Sequence, residues 1–227
     1  MIDVVSLQGR SVAVLGLGRA GLAAAKALKR SNADVWAWDD DAGVRRAAAG
    51  EGVPLVDLSA CDWSDVAALV QSPGIPHTHP SPHPVAALAR RAGCKIIDDV
   101  ELLARSQRDA RYIGITGTNG KSTTTALIGH VLGAAGQRIE VGGNIGTPAL
   151  AMEPLDADGT YVLEMSSYQL ELSPSVTFDV AVLLNISPDH LERHGGMGGY
   201  VAAKKMIFQG QTPAHTAIVC IDDAHCR

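Results

Sequence analysis

The sequence lacks the excess of basic charge that is typical of proteins that bind nucleic acid or anionic membranes. It has 19 Lys and Arg against 24 Asp and Glu, which gives a formal net charge of −5. Proteins that bind polyanions usually present a basic patch or stripe. We therefore expect neither nucleic acid nor a membrane among its partners.

Long apolar runs and paired cysteines are also missing. No run reaches the roughly 18 apolar residues that a membrane-spanning helix needs. The first residues, MIDVVSLQGR, lack the basic region that opens a secretory signal. None of the 4 cysteines forms a C-x-x-C pair, which favours reduced thiols in a cytosolic protein. We expect a cytoplasmic chain.

Short apolar runs alternate with Ala- and Leu-rich helical stretches. Strands separated by helices favour parallel sheets, so the predicted fold class is α/β. A polar patch at Ser106–Ala110 precedes a fresh strand. We predict an N-terminal Rossmann-like parallel-sheet domain over 1–108 and a partial P-loop ATPase-type α/β domain over 109–227. The predicted apolar runs and helices are Ser11–Leu15, Ala20–Arg30, Asp34–Trp38, Val66–Val70, Pro84–Ala92, Lys95–Ile97, Tyr112–Ile115, Ser122–Ala135, Tyr161–Met165, Val180–Asn185 and Ala217–Ile221.

The first half contains a glycine-rich turn between a predicted strand and a predicted helix. Gly16-Leu-Gly-Arg-Ala-Gly21 has the spacing G-x-G-x-x-G, which lets backbone N–H groups approach a diphosphate at a helix N-terminus. Asp39 ends the next strand, where an acid usually contacts a ribose or a base edge. Three interpretations stay open: an NAD(P) site, a site for a nucleotide-linked substrate, or a turn that only packs helix on strand.

A second phosphate-binding loop opens the second half. The stretch GITGTNGKSTTT, residues 114–125, lies between a predicted strand and a predicted helix. Lys121 can reach the terminal phosphates of a triphosphate, and the hydroxyl of Ser122 or Thr123 can ligate Mg²⁺. The glycine spacing departs from the strict P-loop pattern, because Ile115 stands six residues before the lysine. The expected ATP-binding residues are Gly117, Thr118, Asn119, Gly120, Lys121, Ser122 and Thr123.

Polar side chains follow the later strands at the same edge of the predicted sheet. Glu164 closes one strand, Asp189 and His190 follow another, and Asn144 lies in the glycine turn 142–146. Ligands of open parallel sheets bind beyond the carboxyl ends of the strands. A carboxylate, a histidine and a loop hydroxyl there predict a magnesium and phosphate site. A strand-end ion pair of Glu164 stays open as the alternative.

The stretch Pro73–Pro84, PGIPHTHPSPHP, predicts a loop because its prolines disfavour helix and central strand. Its three histidines, His77, His79 and His83, are compatible with a metal site. With no cysteine or carboxylate among them, a solvated loop is the preferred interpretation.

The ordered motifs GTNGKST, GGNIG, LEMSSYQLE, LNISPDHLERH and YVAAKKMIF resemble the Mur ligases. Together with G-x-G-x-x-G and SPGI upstream, SSYQLE resembles the branch that adds D-glutamate. The resemblance covers nearly the whole chain. It implies an ATP-dependent ligase of peptidoglycan synthesis that joins D-glutamate to UDP-N-acetylmuramoyl-L-alanine through an acyl phosphate.

The resemblance also assigns catalytic and metal-binding roles. Lys121 contacts the ATP phosphates, Ser122 and Glu164 hold one Mg²⁺, and His190 serves a second. Lys204 matches a lysine that is carbamylated in the family, which turns a cation into an anionic oxygen donor; its neighbour Lys205 is the alternative. The implied catalytic residues are Lys121, Glu164, His190 and Lys204, and the implied metal contacts are Ser122, Glu164, His190 and Lys204.

For the UDP-linked substrate, the resemblance implies backbone contacts to the diphosphate and side-chain contacts to the uracil or ribose and to the acyl end. The run Asp39–Asp41 departs from the family, because extra negative charges near a diphosphate are unfavourable unless they point away. The implied substrate-binding residues are Gly16, Gly18, Arg19, Ala20, Asp39, Asp40, Ser72, Gly74, Asn144 and His190.

Family members continue beyond the position of Arg227 into a third domain that carries most of the D-glutamate site. The resemblance therefore implies a fragment that forms no amide bond on its own. We expect a monomer whose partners are UDP-N-acetylmuramoyl-L-alanine and D-glutamate. The alternatives are a non-catalytic nucleotide- or UDP-sugar-binding module and an NAD-linked oxidoreductase.

Overall fold

A computed structural model describes residues 1–227, which form two compact units. The first unit contains Met1–Ser106 together with Pro148–Ala151, and the second contains Gln107–Thr147 and Met152–Arg227. The sequence patterns gave no sign that the chain returns to the first unit at Pro148. That return places Leu150 next to the N-terminus, where Ile2 N–H donates to Leu150 O at 2.9 Å.

The first unit is built on a 4-stranded, all-parallel sheet with the order β2-β1-β3-β4. In register, Leu15 pairs with both Trp38 and Gln71, so these strands end at the same level. The residues that follow each strand therefore lie side by side at one edge of the sheet. The elements are β1 Ser11–Leu15, α1 Arg19–Arg30, β2 Asp34–Trp38, α2 Ala42–Gly50, β3 Val66–Gln71, α3 Pro84–Arg91, β4 Lys95–Ile97 and α4 Asp99–Ser106.

The second unit has a 5-stranded, all-parallel sheet with the order β6-β7-β5-β8-β9. The central strand β5 leads into the glycine-rich loop, and β7 and β8 flank it. The predicted α/β class with parallel sheets is thus confirmed. The elements are β5 Arg111–Thr116, α5 Lys121–Ala134, β6 Arg138–Gly143, β7 Gly159–Glu164, α6 Ser167–Leu172, β8 Val180–Leu183, α7 Met197–Lys205 and β9 Thr216–Val219.

The core of each unit follows from the apolar runs. Strands buried on both faces read as nearly continuous apolar runs, and β1 and β7 are buried along almost all of their length. Helix α1 buries small side chains, among them Ala24 and Ala27, which lets it lie close to the sheet. No helix of the chain has both the length and the apolar character that crossing a membrane requires.

Several elements were not predicted, because their signals are polar residues that also occur in loops. Helix α2 begins after Asp41, whose carboxylate accepts from Gly43 N–H and Val44 N–H as an N-cap. Helix α6 has only 6 residues and begins with a capping box between Ser166 and Gln169. Strand β6 and the start of α7 were not predicted, because polar and glycine residues interrupt the apolar pattern there. The remaining unpredicted element is α4.

Some predicted boundaries were wrong. Helix α5 begins at Lys121 rather than at Ser122, because Gly120 adopts a left-handed conformation with φ of +81° immediately before it. Strand β8 ends at Leu183. Asn185 therefore lies in the loop after the strand, where its side chain is available to the glycine-rich loop.

Candidate nucleotide-binding sites

The glycine turn after β1 depends on close backbone approach. Gly16 has φ of +86°, a region that favours glycine, and its N–H donates to Trp38 O at 2.8 Å. A Cβ on Gly21 would lie 1.8 Å from Gly16 O. Only glycine at position 21 therefore lets α1 start against the turn.

The N-terminus of α1 is open to an anion. Its N-cap Gly18 offers no side-chain acceptor, and the first turn contains no acidic residue. The first N–H groups of a helix lack intrahelical partners and carry partial positive charge. This arrangement is the one that holds phosphate at helix N-termini.

Gly16 and Gly18 border a groove of about 350 Å³ in the first unit. Arg19 lines a separate groove with Met1 and Leu22, and Ala20 lines a small interior cavity. Of the predicted residues of this unit, the structure brings six together at the first groove: Gly16, Gly18, Asp39, Asp40, Ser72 and Gly74. The sequence missed His83 as a lining residue, although its position directly before Pro84 marks it as a helix start.

Asp39 shapes the turn itself. Its Oδ2 accepts from Leu17 N–H at 2.7 Å, and its Oδ1 accepts from Asp41 N–H at 2.9 Å. Asp41 in turn caps α2, so its charge is directed to that helix and not to the turn. The three consecutive acids thus have different surroundings, which the sequence could not distinguish.

The second loop, between β5 and α5, is held in shape by backbone and amide contacts. Gly117 and Gly120 have φ of +151° and +81°. The side chain of Asn185 accepts from Asn119 N–H at 2.8 Å and donates to Asn119 O at 3.0 Å. Thr118 N–H donates to Asn185 O at 2.9 Å. The loop is therefore preorganised before any ligand binds.

Glu164 is the buried centre of a polar cluster next to this loop. Glu164 is 1% exposed, and its carboxylate accepts hydrogen bonds from Ser122 Oγ at 2.7 Å and from Asn144 Nδ2 at 2.7 Å. The sheet register explains the contact, because Glu164 is paired with Ile115 of β5 and with Gly143 of β6. Sequence reasoning placed these three side chains at one edge, and the structure brings them into contact.

Lys121 and Lys204 both contact the loop backbone. Lys121 Nζ donates to Thr118 O at 2.8 Å, and Lys204 Nζ donates to Gly117 O at 2.8 Å. Lys204 is 1% exposed and lies 4.8 Å from the centre of the Tyr200 ring. Burial lowers the pKa of the Lys204 ammonium from its usual value to about 7, and the positive charge of Lys121 contributes in the same direction.

The low pKa of Lys204 predicts a pH-dependent stability. Between its folded pKa of about 7 and the unfolded value of about 10.4, the unfolded chain binds more protons, so wild-type stability rises with pH. Lys204→Met lacks this titration. The stability of Lys204→Met relative to wild type should therefore fall from pH 7 to pH 10, by up to about 1.4 kcal/mol per pH unit.

Urea unfolding of both proteins in carbonate-free buffer measures this difference, because other titrating groups cancel in the comparison. Lys205→Met, the same change at the exposed neighbouring lysine, is the control and should give a flat difference. A flat difference for Lys204→Met as well would contradict the lowered pKa.

A cavity of about 140 Å³ lies beside the loop. It brings together five residues named from the sequence, namely Lys121, Asn144, Asp189, His190 and Lys204. Thr123 does not line it and lies on the exposed side of α5. Ser166 and Ser167, which follow Glu164 in the chain and were expected at this edge, also line the cavity. Sequence reasoning missed Tyr168 and Tyr200, which line it as well. The i, i+4 spacing to Lys204 was the available signal for Tyr200.

His190 borders the cavity in an unusual backbone conformation. Its φ is +49°, its side chain is about half exposed at 53%, and its ring lies 5.4 Å from that of Tyr168. Next to it, His194 is buried between Glu171 and Ser167, with ring nitrogens at 3.0 Å and 2.9 Å from their oxygens. These contacts anchor the loop that presents His190.

The donor set beside the loop matches the preference of Mg²⁺ for oxygen ligands. Ser122 Oγ and the Glu164 carboxylate are already in contact. No group of three or more His, Cys, Asp or Glu side chains forms a metal-binding cluster in the chain. A magnesium ion would therefore need phosphate oxygens or water to complete its coordination, as is usual at nucleotide sites.

A parallel sheet whose central strand leads through a glycine-rich loop into a helix defines the second unit as a P-loop-type α/β domain. The Mur ligase middle domain matches residues 115–227. The chain belongs to the Mur ligase family, which confirms the resemblance seen in its motifs.

Curated relatives match along the whole chain. A UDP-N-acetylmuramoylalanine–D-glutamate ligase from Rhodospirillum rubrum is 54% identical over 228 residues, which cover 98% of this chain and 48% of the relative. The protein of the same name from Caulobacter vibrioides is 53% identical over 100% of this chain and 50% of its own length. The chain thus spans about half the length of the curated relatives it matches.

Solved structures share the fold at low sequence identity. The Neisseria meningitides ligase for UDP-N-acetylmuramate and L-alanyl-γ-D-glutamyl-meso-diaminopimelate has a TM-score of 0.55 at 16% identity, covering 90% of this chain and 72% of the other. The UDP-N-acetylmuramate–alanine ligase MurC from Thermotoga maritima has a TM-score of 0.53 at 22% identity, covering 87% and 46%. At these identities the likeness concerns the fold.

Proposed function

We propose that this chain carries the UDP-substrate-binding and ATP-binding parts of a ligase that adds D-glutamate to UDP-N-acetylmuramoyl-L-alanine. The contact of Ser122 with Glu164 beside a preorganised glycine-rich loop is the observation that carries the proposal. The relatives at about 50% identity supply the substrate names. The amide-forming activity is proposed for the protein that contains these parts.

In the first unit, the groove would bind the uridine diphosphate of the substrate. The backbone N–H groups at the start of α1 would face the diphosphate, because Gly18 leaves them without a side-chain cap. Ser72 and Gly74 also line the groove. Ser72 Oγ donates to Gly16 O at 3.2 Å, which keeps the turn in the conformation that binds an anion.

In the second unit, the loop would hold the ATP phosphates. Lys121 would exchange its present bond to Thr118 O for the terminal phosphates, which needs only rotation of a long side chain. The γ-phosphoryl group would pass to the substrate carboxylate and give an acyl phosphate, which the amine of D-glutamate attacks with loss of phosphate. Positive groups are required because two anions must meet.

Ser122 and Glu164 would hold Mg²⁺, and His190 would serve a second ion together with the carbamate oxygens that Lys204 would carry. These ions would supply charge neutralisation for the phosphates. The chain's own contribution is orientation: Asn144 fixes one oxygen of Glu164, and Ser122 fixes the other.

We further propose that Lys204 is carbamylated. The reaction with CO₂ requires a neutral amine, and a pKa of about 7 makes that form available near neutral pH. Incubation with ¹³C-labelled bicarbonate should give a carbamate signal by NMR that is absent in Lys204→Met. A signal that persists in that variant would place the modification elsewhere.

Ligand-linked stabilisation tests the proposal on this chain. UDP-N-acetylmuramoyl-L-alanine or Mg²⁺–ATP at 100 times its dissociation constant should raise the free energy of unfolding by about 2.7 kcal/mol. NADH should give no stabilisation and no fluorescence change, which separates this function from a nicotinamide-linked oxidoreductase. Binding of the UDP-sugar without any binding of ATP would instead favour a non-catalytic module.

A further inference from the structure

We propose that Asp40, oriented by His83, is the carboxylate that recognises the nucleoside in the first groove, and that His83 is a positioning residue for it. The inference rests on the proposed uridine-nucleotide function of this groove and names the side chains that give it specificity. It assigns the recognition to Asp40 instead of Asp39, the acid at the end of β2.

Asp39 already has structural partners. One carboxylate oxygen accepts from Leu17 N–H at 2.7 Å and the other from Asp41 N–H at 2.9 Å. Both bonds hold the backbone of the turns at the edge of the groove. Movement of Asp39 toward a ligand would break these bonds, so its primary role is to shape the site.

Asp40 has the opposite character. Its side chain is 72% exposed, it lines the groove, and only Oδ2 has a protein partner, the Nε2 of His83 at 2.9 Å. Its Oδ1 accepts no hydrogen bond within the protein. The backbone on either side is fixed by Arg45, whose Nη1 donates to Asp39 O at 2.6 Å and to Asp40 O at 2.9 Å.

His83 is fixed at both ring nitrogens. Its Nδ1 accepts from Val85 N–H at 3.2 Å as the N-cap of α3, so in the neutral ring the proton is on Nε2. That N–H is therefore available to donate to Asp40 Oδ2. The side chain of His83 is only 16% exposed, which restricts its rotation. The helix cap thus determines the tautomer and direction of the bond to Asp40.

The result is a preoriented acceptor in the groove that also contains Gly16 and Gly18. A uridine nucleotide offers two kinds of hydrogen-bond donor, the imide N3–H of the base and the hydroxyls of the ribose. A carboxylate oxygen accepts either one. The donation from His83 disperses part of the negative charge, which reduces repulsion from the diphosphate nearby.

Binding of UDP to the 227-residue chain, measured by isothermal titration calorimetry, tests the inference. Asp40→Ala should weaken UDP binding by about 10-fold to 100-fold, the range for one hydrogen bond to a charged group. Asp65→Ala, the same change at an exposed position outside the groove, should leave binding unchanged. UDP methylated at N3 and 2′,3′-dideoxy-UDP identify the donor. The analogue that lacks the donor bound by Asp40 should bind wild type more weakly than UDP does. The same analogue should bind Asp40→Ala with the affinity of UDP.

His83→Asn tests the positioning role. Asparagine keeps an N-cap for α3 but is too short to reach Asp40, so the free energy of unfolding should stay the same while UDP binding weakens several-fold. Because His83 acts through Asp40, Asp40→Ala/His83→Asn should bind UDP no more weakly than Asp40→Ala. Wild-type affinity in Asp40→Ala, or additive losses in the double variant, would overturn the inference. No binding of UDP to wild type would instead overturn the proposed function of the groove.

Discussion

Gly199→Ala is expected to destabilise the second unit by about 3 kcal/mol, the upper end of the usual range for overpacking, because the neighbour is fixed. A Cβ at position 199 would lie 1.8 Å from His194 O, and a backbone carbonyl cannot rotate out of the way. Helix α7 would have to shift. Because α7 carries Tyr200 and Lys204, the shift would also move the lysine that contacts Gly117 O.

Gly198→Ala is the matched control, one residue earlier in the same helix. A Cβ there meets no atom within 4 Å, so alanine should be neutral or should stabilise the helix by up to about 1 kcal/mol. Urea unfolding of both variants measures the contrast. Equal stability of the two variants would mean that α7 is not packed against His194 as the structure shows.

Lys121→Ala is expected to weaken Mg²⁺–ATP binding on the order of 100-fold, because charge-assisted bonds to the phosphates are lost. The fold should survive, since the bond from Lys121 Nζ to Thr118 O lies at a partly exposed site where water can replace it. The same substitution removes a positive charge that lowers the pKa of Lys204, so that pKa should rise.

Calorimetric titration with Mg²⁺–ATP gives the affinity, and the melting temperature of the variant checks the fold. Lys205→Ala removes an identical charge at an exposed position and should bind Mg²⁺–ATP like wild type. If Lys121→Ala retained the affinity of that control, the glycine-rich loop would not be the triphosphate site.

The glycine-rich loops and the strands that lead into them could be predicted from the sequence, because their signals are local. Strands β1, β2 and β4 have the predicted bounds, since each is a short run of mainly apolar residues. Glu164 could be assigned to the loop's edge of the sheet because parallel strands share that edge. Helices α2 and α6 could not be predicted because they begin at polar caps, Asp41 and Ser166, that also fit loops. The bounds of α7 could not be predicted because it begins after Gly196 in a glycine-rich stretch, and α4 was not predicted.

The sequence by itself determined which residue types meet at each loop. Strands that alternate with helices form a parallel sheet, and the carboxyl ends of parallel strands lie at one edge. Only the tertiary structure decided the burial, the pKa and the hydrogen-bond partners of the charged side chains. Lys204 is an ordinary helix lysine in the sequence, yet packing against Tyr200 and the loop backbone buries it and lowers its pKa. Likewise, Asp39 and Asp40 are adjacent in sequence, but contacts with Leu17 N–H and His83 give them different roles. Burial and hydrogen-bond partners depend on residues distant in the chain, which no local pattern specifies.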